Sequence, residues 1–176
     1  MTGREHIITA LPVCAWMLHT ADNPMAARVL VPTGITSYVA ALVAAGLVVL
    51  GVLLPDCDYK GSIISRVFYL PIEHRTWTHA LWFPIAVTFA ALAYPSARIL
   101  LWLAVGYVLH LAMDACGPCG ICWLYPKPGY HVYESGARVK RGNHLKLYGS
   151  GEYDANRGLI VGGCVILAVL LFFIPL

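Results

Sequence analysis

The sequence predicts an all-α integral membrane protein, a bundle of about five helices forming one domain over residues 1–176. Three observations carry that expectation. Hydrophobic residues make up 59% of the chain, and its mean hydropathy is +0.70. Only 12% of residues are charged, against about 25% in a soluble domain. Several charge-free runs are long enough to cross about 30 Å of hydrocarbon at about 1.5 Å per residue. Lipid offers no partner for a backbone amide, so such runs must be helices, and the alternating pattern of a barrel is missing.

The elements follow in order. Ile7 to His19 is short, and reads either as a full span starting near Gly3 or as a half-inserted helix. Val29 to Pro55, Thr76 to Ala97, Ile99 to Met113 and Gly158 to Leu176 are the four clearer spans. Between them lie two polar segments, residues 56–75 and 123–157. In the first, "SIISRVFYL" reads as an amphipathic helix lying in the interface and ended by Pro71. In the second, alternation around "YHVYES" and "ARVKR", with Gly136 between them, suggests a small basic hairpin. No cleavable signal peptide is evident, and no internal repeat.

Basic residues set the expected orientation. The side carrying both polar segments holds Lys60, Arg66, Arg75, Lys127, Arg138, Lys140, Arg141, Lys146 and Arg157. The other side holds Arg28 and Arg98. The positive-inside rule therefore puts both polar segments in the cytoplasm, as expected of an inner-membrane protein. A net charge of +3 gives no reason to expect a nucleic-acid partner. The six cysteines do not form an extracellular disulfide pattern, since Cys14 and Cys164 lie within apolar runs.

The polar residues at this face are metal-binding types. His6 opens the first helix, Asp56 and Asp58 end the second, His74 and His79 open the third, and His110 and Asp114 close the fourth. His110 and Asp114 are spaced i, i+4, which stacks both side chains on one helix face. Taken singly each has an ordinary explanation: a helix-ending Asp pair, a satisfied bundle histidine, an interfacial carboxylate. Thr76 and Thr78 read equally as caps, as helix-bonded hydroxyls or as substrate ligands. His19 falls at the opposite side, and His131 and His144 sit in the basic loop. Convergence of seven ligand-type residues at one membrane face favours a metal site, because ionisable groups there are costly.

The segments "GREHIITA", "GVLLPDCD", "HRTWTHA" and "GYVLHLAMDACGPCGICWLYP" resemble, in that order, the motifs of the YdjM-like family of membrane-bound metal-dependent hydrolases, LexA-regulated inner-membrane proteins. The resemblance covers roughly residues 3–126. It implies a hydrolase with His6, Asp56, Asp58, His74, His79, His110 and Asp114 as ligands or near-ligands, and it includes Arg75 and Thr78 in the matched motif. The run "CGPCGIC" departs from the family pattern. Cys116, Cys119 and Cys122 lack a fourth ligand in register, and the intervening glycines and proline suit a turn better than a second metal centre.

The expected activity is hydrolysis of a phosphoester in a phospholipid or isoprenoid phosphate. One or two divalent ions, zinc by preference with manganese or iron as alternatives, would activate a water. Arg75 would grip a phosphate oxygen, and Asp58 or His74 would act as general base. Two rivals keep the metal: a lipid ester or amide hydrolase, and a non-catalytic metal carrier. A carrier would want its ligands near the bilayer middle rather than at one edge. Oligomeric state is not legible.

Overall fold

The computed structural model describes residues 3–21, 30–116, 120–126 and 150–173. Five α-helices, and no strand, occur among the described residues: α1 (Gly3–Thr20), α2 (Tyr38–Leu53), α3 (Trp82–Ala93), α4 (Leu101–Cys116) and α5 (Ser150–Phe173). The hairpin expected around Gly136, and Cys119, lie outside the described residues. α2 packs along α4 and α1, α5 packs against α1, and α3 against α4.

Among the described residues, two helical stretches, Tyr38–Asp58 and Pro95–Cys116, are long and apolar enough to cross a membrane. Each is an α-helix extended by 3-10 turns. α2 starts where the Ser37 hydroxyl accepts from the Ala40 amide at 3.2 Å, a capping bond. It runs on as a 3-10 segment, Leu54–Asp58, because Pro55 has no N–H for the α ladder. α4 is preceded by the 3-10 segment Pro95–Leu100.

The buried face of α2 is made of small residues: Ala41, Ala44, Val48, Gly51 and Val52. Nothing on that face is larger than valine, and the larger residues point outward, with Tyr38 46%, Leu42 49% and Leu50 39% exposed. A soluble core has the opposite order. Small-in and large-out is how helices pack when lipid covers the outside and close backbone approach supplies the attraction. α2 and α4 come very close. A Cβ added at Gly51 would lie 2.2 Å from the Leu103 carbonyl oxygen, and one at Gly106 would lie 2.1 Å from that of Val48. Only glycine fits either position. At the far end, the Trp102 indole N–H donates to the Thr33 hydroxyl at 3.1 Å, tying α4 to the turn before α2.

Two expected elements come out differently. The run from Thr76 to Ala97 is not one span: α3 covers 12 residues, about 18 Å of rise. Pro84 is tolerated only in a first turn, and Tyr94, before Pro95, is pushed to extended backbone. His74 and His79 therefore precede α3 instead of opening it, and Trp77–His79 is a 3-10 turn. The stretch "SIISRVFYL" holds only the 3-10 turn Ile64–Arg66. Its β-branched and aromatic residues favour helix weakly, Pro71 disfavours helix at Leu70, and the Leu70 amide donates to the Cys57 carbonyl at 2.9 Å.

Candidate metal centre

The end of α2, the start of α1, the end of α4 and the loop before α3 meet at one end of the bundle. All nine predicted site residues lie there. His6, Asp56, Asp58, Thr78, His79, His110 and Asp114 are buried; His74 and Arg75 are partly buried. His19 is in the last turn of α1, away from them.

Four atoms form the centre. His79 Nε2 is 3.3 Å from His110 Nε2, 3.8 Å from Asp56 Oδ1 and 3.5 Å from Asp114 Oδ2. His110 Nε2 is 3.6 Å from Asp56 Oδ1 and 3.7 Å from Asp114 Oδ2. A tetrahedron with arms of about 2.0–2.2 Å, the range for nitrogen and oxygen on zinc, has edges of about 3.3–3.6 Å. The measured edges fall on or just above that range.

The proton positions follow from the partners. His110 Nδ1 faces the Val52 carbonyl at 2.7 Å, and a carbonyl can only accept, so Nδ1 carries the hydrogen. Thr78 donates its hydroxyl hydrogen to Asp58 Oδ2, so its oxygen accepts from His79 Nδ1 at 3.1 Å. In the neutral form of each ring Nε2 keeps its lone pair, aimed at the other ring and at two carboxylates. Four electron-rich atoms facing one another in a buried site are unfavourable alone and favourable around a cation. The donor set fits a divalent ion. The orienting acceptors behind each histidine are the usual support for metal-binding imidazoles.

His6 extends the cluster. Its ring stacks on His110 with centroids 3.9 Å apart, and its Nε2 is 3.4 Å from Asp114 Oδ1. Neither nitrogen of His6 makes a hydrogen bond among the described residues. His6, His110 and Asp114 form one possible ligand group, and Asp56, His74 and His79 a second. The 3.3 Å edge between His79 and His110 joins the two groups into one candidate site.

Asp56 and Asp58 do different work. The 3-10 turn sends Asp56 to the four-atom centre and Asp58 to the side. Asp58 Oδ1 is 2.6 Å from His74 Nδ1. That is a hydrogen bond, shorter than the edge between two ligands of one ion, so it reads as an Asp–His pair. Arg75 Nη2 is 3.4 Å from Asp114 Oδ2. The backbone at Arg75 has φ 62°, a left-handed conformation that costs a side-chain-bearing residue about 1–3 kcal/mol. Thr76 is a turn residue, its hydroxyl donating to the Glu73 carbonyl at 2.5 Å.

Sequence reasoning missed the Val52 carbonyl and Tyr107, whose hydroxyl donates to the Thr78 carbonyl. No side-chain pattern announces a backbone acceptor. Thr78→Val removes the relay between Asp58 and His79 while keeping the shape. We expect metal affinity to fall by about 10–100-fold, read by titration against a competing chelator; unchanged affinity would mean that His79 needs no relay.

A family model described as "YdjM inner membrane protein" matches residues 1–176. The chain belongs to the YdjM inner membrane protein family. Membership agrees with the helical, lipid-matched exterior and with the resemblance seen in the motifs. A Bacillus subtilis (strain 168) relative described as "Uncharacterized protein YvsG" is 28% identical over 173 residues, covering 93% of this chain and 92% of the relative. No solved structure matches the chain.

Proposed function

We propose that this family member is a metal-dependent hydrolase that cleaves a phosphoester of an amphiphilic lipid, a phospholipid or an isoprenoid phosphate, at the cytoplasmic face of the inner membrane. The observation that carries the reading is the set of four facing acceptors, His79 Nε2, His110 Nε2, Asp56 Oδ1 and Asp114 Oδ2. A divalent ion held by them, zinc by preference, supplies a lowered pKa for water and charge compensation on a phosphoryl group.

The chain's own residues have separable roles. His74, held at Nδ1 by Asp58, takes the proton of the attacking water at Nε2. Arg75 lines the cavity beside Asp114 and donates to a phosphate oxygen. The cavity, about 650 Å³, opens onto His74, Arg75, Asp56 and Asp114. Its position at the helix ends suits a headgroup better than a cation crossing the bilayer, which disfavours the carrier reading. The cytoplasmic side follows from the count of basic residues.

The test is turnover by purified protein in detergent. Phosphate release from a lipid phosphoester should be abolished by a chelator. His74→Ala should lower it by about 10²–10⁴-fold with metal content unchanged. Release of fatty acid in place of phosphate would convert the reading to deacylation. Full turnover after metal removal would end it.

A further inference from the structure

Two arginines outside the metal cluster share its cavity. Arg4, in the first turn of α1, and Arg66, at the end of the turn Ile64–Arg66, line the same space as Arg75, His74, Asp56 and Asp114. They come from elements separated by a whole span, and both are exposed. Neither makes an ion pair among the described residues.

The charges on the wall are unbalanced. Among the described residues Asp56 and Asp114 are the carboxylates lining the cavity, and a divalent ion between them would use up their charge. Arg75 stands beside Asp114, and Arg4 and Arg66 have no carboxylate of their own among the described residues of the wall. One phosphoryl group, engaged by the ion and by Arg75, would leave Arg4 and Arg66 on the same wall without an anion among the described residues. Positive-inside topology explains basic residues at this face, but such residues satisfy it equally well facing lipid headgroups outside the cavity.

We propose that Arg4 and Arg66 form a subsite for a second phosphoryl group, so that the substrate is a lipid diphosphate. This rests on the metal-dependent phosphoryl hydrolysis read above, with a phosphoanhydride as the bond cleaved in place of a phosphoester. The water oxygen bonds to the terminal phosphorus as the bridging P–O bond breaks. The electron pair stays on the bridging oxygen, which leaves as part of a lipid monophosphate held by Arg4 and Arg66. The water's proton goes to His74 Nε2. The products are lipid monophosphate and inorganic phosphate.

The test compares wild type with the double variant Arg4→Gln/Arg66→Gln, metal-loaded in detergent micelles, on isoprenyl diphosphate and isoprenyl monophosphate of one chain length. Metal content is read after each titration. For the diphosphate, KM should rise by about tenfold or more, while kinetics on the monophosphate and the metal content stay as in wild type. Equal losses on both lipids, or none on either, would overturn the subsite. If wild type releases phosphate from neither lipid, the hydrolase reading fails and binding decides the subsite separately. Wild type should then bind the diphosphate about tenfold more tightly than the monophosphate, a preference that the double variant loses. Equal binding of the two lipids by wild type would overturn it.

Discussion

Asp114→Ala is expected to empty the metal centre and to destabilise the fold at the same time. Its two carboxylate oxygens face His6 at 3.4 Å, His79 at 3.5 Å, His110 at 3.7 Å and Arg75 at 3.4 Å. Truncation removes the one group that all four share. It removes the carboxylate beside Arg75 and the acceptor that three buried imidazoles face, and losing one partner of such a buried polar network costs up to about 3–5 kcal/mol. Metal per chain, by elemental analysis, should fall to near zero, with a lower unfolding temperature in detergent. Asp114→Asn separates the two effects, since it keeps the volume and one acceptor but loses the charge. It should lose metal while unfolding closer to wild type. Stoichiometric metal in both variants would mean that the ion sits elsewhere.

Gly106→Ala is expected to abolish metal binding although it touches no ligand. The added methyl would meet the Val48 carbonyl at 2.1 Å, and a backbone atom cannot swing aside as a side chain can. The helices must separate by an ångström or more, which exceeds the ordinary cost of overpacking, about 1–3 kcal/mol. Separation also draws His110 away from Val52, one turn further along the same helix face. Gly51→Ala, against the Leu103 carbonyl at 2.2 Å, should do the same from the other helix. Gly163→Ala is the control, because a Cβ there meets nothing within 4 Å. If Gly106→Ala bound metal and unfolded like the control, the close crossing of α2 and α4 would not hold.

Much of this site could be read along the chain, for a definite reason. Helical spacing is rigid, so His110 and Asp114 had to share a face, and spans that alternate in direction bring distant ends together. What escaped the reading was whatever depends on irregular backbone. "PDCD" looks like a paired-carboxylate motif, yet the turn splits Asp56 from Asp58 and gives them different partners. Thr78 looked like a cap or a ligand, and is a relay instead. The shortness of α3 was foreseeable from Pro84 and Pro95, which bracket the longest helix that could form there. Gly106, His110 and Asp114 stand at successive i, i+4 positions, so the tightest contact and the ligands belong to one stripe. That signal lay in the sequence unread.

Pro55 is within one turn of the centre and contributes no ligand. A 3-10 bond from position 55 would end on the Val52 carbonyl, three residues back, but proline has no hydrogen to give. That oxygen accepts from His110 instead. The tautomer of an imidazole on one helix is thus written into its neighbour by a hydrogen that an imino acid does not possess, and residue 55 sets the candidate centre without lending it an atom.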